Sequence, residues 1–469
     1  MKYKYLIIII AALVLVSQIS TITALLDNSD NELSHKIVEG VDSLKNKILS
    51  ENENYDTINV SVHSYDELKS VIDEYNSNNK NESYLITLED GDYNITEAIL
   101  YRTKDNKNQK LIIDGKGHII DGQNRNRFMH FDSCNITLKN LIVKNTIHDD
   151  KDHAGVFEMI SPSNLNVINC TFINNKGDKK GSVVTNRGNT TIVNSTFINN
   201  TANHAGGAIW STGQYDGLLN LTNNTFKENI ANGNDNNERT AIVYAVSGGL
   251  NIIDKNSFIN NTGRCIHCYN YTNTTITDNY FHQNTLNDSQ VIRGGVIDNY
   301  ESDIIIRNNT FDNDNTNGEL RGGILYHEIG KLEFTDNNVT NTHRQDGTIS
   351  NANCSKGGVI FNRNATGKIS NNIFNNVMIG NLSRGCVIYN NMGNITMENN
   401  KFENTAEGKD IQGAVGYTDV AGIINLKNNT FDTKINGNIM EDVDGDKNIY
   451  NSNQPMAESS NKRGTVNYN

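Results

Sequence analysis

The sequence predicts an all-β chain wound into a single right-handed parallel β-helix. Three observations predict it: an internal repeat of about 28 residues, a glycine-led segment at a near-constant distance ahead of each repeat's large apolar residue, and almost no proline. The large residue recurs as Leu141, Phe172, Phe197, Phe226, Phe258, Phe281, Phe311, Val339, Phe374, Phe402 and Phe431, with gaps of 23 to 35 residues. An aliphatic alternation and one or two asparagines precede it, as in Ile192-Val-Asn-Ser-Thr-Phe197 and Ile395-Thr-Met-Glu-Asn-Asn-Lys-Phe402. Neither half of the repeat alternates for more than about five residues, so long antiparallel hairpins are excluded. Short strands that pair coil on coil are expected, with inward Phe and Ile ladders and stacked turn asparagines.

The glycine-led segments are Gly206-Gly-Ala-Ile-Trp210, Gly294-Gly-Val-Ile297, Gly322-Gly-Ile-Leu-Tyr326, Gly357-Gly-Val-Ile-Phe361, Gly385-Cys-Val-Ile-Tyr389 and Gly413-Ala-Val-Gly-Tyr417. A glycine at a recurring place reads as a corner that needs positive φ or close backbone approach, followed by a strand. From Cys265, Gly295, Gly323, Gly358 and Cys386 to the next large residue the distance is always 16 residues, so two strands and the turn between them keep one register. Insertions collect in the other half of the repeat. From large residue to the next glycine segment the chain runs 7 residues at Phe258–Cys265 and 19 at Val339–Gly358.

From the N-terminus, Lys2 and Lys4 precede the apolar run Leu6 to Val16 and the smaller residues Ser17 to Ala24, the layout of a signal peptide over residues 1–24. Left uncleaved, Leu6 to Leu26 would be a membrane anchor, the one membrane contact expected. Residues 25–57 are expected to be a polar, helical lead segment. In the next stretch Ser64 and Glu67 make a capping box, and Tyr65, Leu68, Val71, Ile72 and Tyr75 lie on one face of a helix that can cover the first coil. Leu85-Ile-Thr-Leu, Asp90-Gly-Asp-Tyr93 and Leu111-Ile-Ile-Asp-Gly to Asp121-Gly122 read as irregular first coils of a body spanning 58–432. Residues 433–469 are a polar tail expected to fray. Its Glu441-Asp-Val-Asp-Gly-Asp446 string does not match calcium-loop spacing.

A net charge of −13 and the absence of a basic run exclude the electrostatic footprint of nucleic-acid binding. Six cysteines are too few for a disulfide scaffold. Cys265 and Cys268 sit three apart on a strand and face opposite sides, so they cannot share a metal. Cys134 with Cys170, or Cys354 with Cys386, lie in neighbouring coils and leave a bridge open.

A lid helix, an early Gly-x-Tyr turn, paired Ile-Asp-Gly segments and the repeating Gly-Gly-Ala/Val-Ile and Asn-Ser/Asn-Thr-Phe-x-Asn-Asn units resemble the adhesin-like proteins of methanogenic archaea. The repeat pair is also similar to that of chlamydial polymorphic membrane proteins. The resemblance covers residues 58–432 and implies a pectin-lyase-like β-helix, secreted or held at the cell surface, with a role in adhesion. No C-terminal immunoglobulin-like or wall-binding module is recognisable, in contrast to the larger members of that group.

Binding is expected on the edge where insertions collect, through Glu238, Arg239, Arg293, His343, Arg344, Gln345 and Asp346, with an extracellular glycan or surface protein as partner and no cofactor. The loop His148-Asp149-Asp-Lys-Asp152-His153 offers a metal set in His148, Asp149, Asp152 and His153. Asn94, Asn194, Asn220, Asn273, Asn364 and Asn394 begin glycosylation sequons. Trp210 is a candidate sugar platform, with packing on its strand neighbours as the plainer role. The chain is expected not to be an enzyme. The alternative is a carbohydrate-active β-helix, either a polysaccharide lyase or a glycoside hydrolase. Its requirement is carboxylates or histidines from consecutive coils converging on one groove, and the Asp149–Asp150 pair alone does not supply that.

Overall fold

The computed structural model describes residues 57–442 except 78–81, 103–108, 149–154, 161, 179, 204, 213–216, 233–239, 247–248, 345–354, 378–381, 404–409 and 432–439, and in addition the strand Gly464–Tyr468. Residues 1–56, with the expected signal peptide and lead segment, lie outside it.

One coil shows the plan. Ile297–Tyr300 runs on a first face, Asp303–Arg307 on a second, Thr310–Asp312 on a third, and Asn315–Arg321 along an edge, after which Leu325–Glu328 returns to the first face. Each strand pairs in parallel with its equivalent in the next coil, for example Ile304 with Leu332 and Phe311 with Val339. The result is the expected right-handed parallel β-helix, with, among the described residues, a first face of 13 strands and second and third faces that join into a 27-stranded sheet. The edge strands form one group of 4 and one of 6, and they lie in the half of the repeat whose length varies.

The core is built from inward ladders, since alternate strand residues face the same side. On the third face the rings of Phe197, Phe226, Phe258, Phe281 and Phe311 stack at 4.6, 4.7, 5.0 and 4.8 Å. Val339 interrupts this ladder, and Phe334 from the second face fills the gap, 6.1 Å from Phe311 and 6.3 Å from Phe374. At the early end the register partner of Phe172 is Val143 and not Leu141. Leu141 is buried one corner earlier, because the first coils lack the asparagine that marks that corner in later ones.

Two asparagine ladders hold the corners on either side of the third face. At the first corner Asn224, Asn256, Asn279, Asn309, Asn337, Asn372, Asn400 and Asn429 follow one another. From Asn256 onward each Oδ1 accepts the backbone N–H and the Nδ2 of the asparagine one coil back, while each Nδ2 also donates to a carbonyl of the previous coil. For Asn256 the acceptor is Leu221, at 2.9 Å. Every polar atom of these buried amides is therefore used, which is what makes burial of an asparagine tolerable. The residue before each is left-handed, at φ 54 for Asn223, 55 for Asn308 and 58 for Asn371. Asparagine accepts that conformation at lower cost than most side chains. The Asn-Asn doublets thus divide two tasks between neighbours, a tight turn outside and a ladder rung inside.

The glycine corners behave as expected, with φ of 76 at Gly206, 62 at Gly294, 75 at Gly322 and 65 at Gly357. A Cβ on Gly322 would stand 2.0 Å from the Leu325 carbonyl oxygen. The helix Tyr65–Ser77 buries Tyr65, Leu68, Ile72 and Tyr75 against the first coil. Its cap differs in one detail from the expected box: Ser64 Oγ accepts the Glu67 N–H at 3.2 Å, but the Glu67 carboxylate takes the N–H of His63 at 2.7 Å. The polar tail is not wholly frayed, since Met440–Asp442 pairs with Gly416–Thr418 and Gly464–Tyr468 pairs with Gly422–Leu426.

Candidate binding face

The residue after the inward aliphatic of each first-face strand points outward, and these side chains form a column along the rod. Register places Thr185, Trp210, Tyr244, His267, Asp298, Tyr326, Phe361, Tyr389 and Tyr417 in it. Two residues further along the strands a second outward column holds Tyr269 and Tyr300.

In the central coils this face presents aromatic rings to solvent. Trp210, Tyr244 and Tyr300 are half-buried and Tyr269 is 36% exposed. Tyr269 stacks on Tyr300 at 5.4 Å, Tyr244 leans on His267 at 4.6 Å, and Lys180 Nζ sits 4.9 Å over Trp210. The strands hold these rings at the coil spacing, so the row is rigid.

Among the rings lies a charged group that sequence reasoning did not single out. His267 Nδ1 is 3.4 Å from Asp298 Oδ2 and Arg264 Nε is 3.9 Å from it, while Arg264 donates to the carbonyls of Arg293 at 2.7 Å and Thr240 at 3.2 Å. His267 is 1% exposed and Asp298 0%. A similar group on the same face joins Arg127, His130 and Glu158, with His130 Nδ1 3.2 Å from Glu158 Oε2 and Arg127 hydrogen-bonded to that oxygen. Both sets pair charges across consecutive coils, as buried ions require.

Further along, the outward residues become a closed stack: Tyr326 on Phe361 at 5.0 Å, Phe361 on Tyr389 at 5.2 Å, Tyr389 on Tyr417 at 5.3 Å. A cation from the residue before each glycine corner lies on the ring one coil away, Arg293 over Tyr326 at 5.5 Å, Lys356 over Tyr389 at 5.1 Å and Arg384 over Tyr417 at 5.4 Å. Burial raises the Tyr326 and Tyr389 hydroxyls far above the ordinary tyrosine range, and they donate to Glu328 and Asp419. The signal in the sequence is Arg/Lys-Gly-Gly/Cys-Ile/Val-Leu/Ile-Tyr/Phe, a cation just ahead of the glycines and an aromatic just after the aliphatics.

Of the residues expected to bind ligand, Arg293 ends the edge strand Thr285–Arg293 and turns its guanidinium back onto Tyr326. His343 and Arg344 form a short edge strand paired with Asn315 and Thr316. Glu238, Arg239, Gln345 and Asp346 lie outside the described residues. His148 lies in the edge strand Ile147–His148, and Asp149, Asp152 and His153 fall outside the description. Among the described residues no three His, Cys, Asp or Glu side chains are grouped to hold a metal.

Of the sequon asparagines, Asn94, Asn194, Asn364 and Asn394 are exposed and Asn220 and Asn273 half-buried. Cys134, Cys170, Cys265, Cys268 and Cys386 are buried free thiols, which removes the Cys134–Cys170 bridge, and Cys354 lies outside the description. Near the first coils an open cleft of about 350 Å³ is lined by Asp92, Tyr93, His118, Asp121 and Lys144. Asp121 there serves the fold, accepting the Gln123 N–H at 2.8 Å and pairing with Lys144 at 3.2 Å.

No family model matches the chain, and no curated protein does. Among solved structures it is similar to a mannuronic acid specific polysaccharide family 6 lyase from human gut microbiota, at 12% identity and a TM-score of 0.43 over 79% of this chain and 87% of that one. It is also similar to PfbA, a surface adhesin of Streptococcus pneumoniae, at 8% identity and a TM-score of 0.31 over 83% of this chain and 92% of that one.

Proposed function

We propose that the chain is an exported, adhesin-like β-helix that binds extracellular glycans through the outer side of its first face, without catalysing a reaction on them. The observation that carries this reading is the row Trp210, Tyr244, Tyr269 and Tyr300, held on four consecutive coils and open to solvent. Rigid, amphipathic rings are the side chains that contribute most at binding surfaces, since they offer apolar area at little entropic cost. Chemistry would need an acid or base in contact with the ligand. The His267–Asp298 pair that lies among these rings is sealed at 1% and 0% exposure, which favours binding over hydrolysis or elimination at the aromatic row. Secretion or surface display is part of the same reading and rests on the signal-like N-terminus. No described helix is long and apolar enough to cross a membrane.

The test is a glycan array probed with the purified protein, followed by an assay for new reducing ends and unsaturated sugars on every hit. Binding without product is expected, and Trp210→Ala or Tyr300→Ala should weaken it by roughly tenfold or more. Product release, or binding indifferent to both substitutions, would overturn the proposal.

A further inference from the structure

We propose that Tyr271 closes one end of a track that runs obliquely across the first face, and that the ligand of this track is a flat, equatorially linked pyranose chain several sugars long. This step rests on the glycan-binding reading above. The exposed rings do not keep to one strand position. Trp210 and Tyr244 share the first outward column, whereas Tyr269 and Tyr300 stand two residues further along their strands. From Trp210 to Tyr300 the row therefore advances three coils, about 14 Å at a strand spacing of roughly 4.8 Å, and shifts sideways by about 7 Å at roughly 3.3 Å per residue. A single sugar ring does not reach from one end to the other.

Tyr271 continues the sideways shift, two residues beyond Tyr269 and at the corner between the first and second faces. Its corner is one residue longer than those of the coils that follow. Register pairs Tyr269 with Tyr300 and Asn273 with Asp303, so four steps lie opposite three, and the corners Glu328–Lys331 and Arg363–Thr366 also take three. The extra residue leaves Asn270 and Tyr271 both left-handed, at φ 67 and 63. Asparagine tolerates that conformation, but tyrosine adopts it against its preference. The Tyr271 ring is 73% exposed, so packing does not offset the strain. At Asp419–Ile423 the corner carries the same extra residue, and there Ala421 occupies it at φ 58. The fold thus needs a left-handed residue at this place and not an aromatic one. A strained ring in solvent, continuous with the stacked pair Tyr269 and Tyr300, points to contact with a ligand.

The shape of the track selects the class of glycan. Rings held on adjacent parallel strands offer apolar faces across one sheet surface. In an equatorially linked pyranose chain the hydroxyl groups project sideways and each sugar shows C–H bonds above and below, so the chain is a flat ribbon that can lie on such rings. An axially linked chain coils and turns successive sugars out of the plane. Tyr271 stands where the track leaves the first face, so it meets a sugar at the end of a long chain, and affinity should grow with chain length.

The experiment is calorimetric titration of the purified protein with cello-, manno- and N-acetylchito-oligosaccharides of two and five sugars, with maltopentaose as the axially linked contrast. At least one of the three pentasaccharides should bind roughly tenfold or more tightly than its own disaccharide and than maltopentaose. Tyr271→Ala should weaken that pentasaccharide by roughly tenfold without lowering the urea midpoint, as Ala421 already serves in a corner of the same length, and Tyr271→Phe should retain binding. A disaccharide bound as tightly as its pentasaccharide, maltopentaose bound as tightly as the flat chains, no binding of the three pentasaccharides, or affinity indifferent to Tyr271→Ala would overturn the inference. If other glycans on the array bind through Trp210 and Tyr300 while these tests fail, only this inference falls. If no glycan of any kind binds, the wider reading falls with it.

Discussion

Asp314 accepts both the backbone N–H and the side-chain Nδ2 of Asn284 on a single oxygen, Oδ1, each at 2.9 Å. It is the last amide-like rung of a ladder that runs through Asn175, Asn200, Asn229, Asn261 and Asn284 at the second corner of the third face. Its other oxygen, Oδ2, finds no hydrogen-bond partner among the described residues, because a carboxylate cannot make the downward donation that each asparagine makes.

Burial therefore raises the Asp314 carboxyl from the usual 3.8 to about 7, against the lowering effect of the Asn284 bonds. The folded state favours the neutral acid. Stability should be full below the unfolded-state value and be lost as pH rises through about 7. Asp314→Asn supplies a donor for the Phe281 carbonyl, following the pattern of Asn284 to Phe258. The substituted protein should be more stable than the parent at pH 8 by on the order of a few kcal/mol, and the gap should close towards pH 4. Urea midpoints across that range measure it, and parallel curves for the two proteins would refute it.

The asparagine doublets permit a paired comparison at Asn308 and Asn309. Asn308 is exposed at φ 55 and Asn309 is 1% exposed within the first-corner ladder. Asn308→Gly keeps the turn and should change stability by less than about 1 kcal/mol. Asn309→Ala removes the acceptor of the Asn279 N–H, one of the two bonds of Asn279 Nδ2 and the side-chain donor to the Ile276 carbonyl, and should cost about 3–5 kcal/mol. Hydrogen exchange of the Asn279 amide would show the same contrast locally.

How much of this was legible beforehand divides along physical lines. The solenoid, the Phe ladder, the glycine corners and the lid helix were readable, because each depends on one residue type recurring at one interval. What neighbouring coils do to each other was not. Phe334 serving in place of Val339, and Glu67 reaching His63 in place of the cap residue, depend on space and angle and not on spacing. The candidate face was legible only in fragments. Insertion lengths pointed to the edge that carries Arg293, but the outward column Trp210, Tyr244, His267, Asp298 and Tyr326 mixes residue types from coil to coil, and periodicity does not detect a column of unlike residues. Arg264 and Asp298 lie 34 positions apart in sequence and meet only because two coils stack.

The cysteines give a direct chemical check on burial. Desolvation pushes the Cys134 and Cys268 thiols up to about 12 and Cys170 to about 11, and raises Cys265 as well. Thiolate is the reactive form, so these groups should be inert at pH 8. An aromatic disulfide reagent should label at most Cys354 in the native protein and all 6 cysteines after unfolding in guanidinium. Rapid native labelling of two or more would contradict the packing described for these coils.

Phe334 and Val339 share one volume within the core, since the second-face ring occupies the place that the third-face ladder leaves empty at Val339. Phe334→Val alone removes the ring from both positions and should cost about 2–4 kcal/mol through the cavity it opens. Val339→Phe alone forces two rings into one site and should cost about 1–3 kcal/mol. Combining them restores one ring per coil and extends the Phe311 to Phe374 stack without a break, so the double variant should be more stable than the sum of the two losses predicts by at least about 1 kcal/mol. A double-mutant cycle by urea denaturation gives the coupling directly. Strict additivity would mean that the two side chains relax independently and that the ladder tolerates a gap.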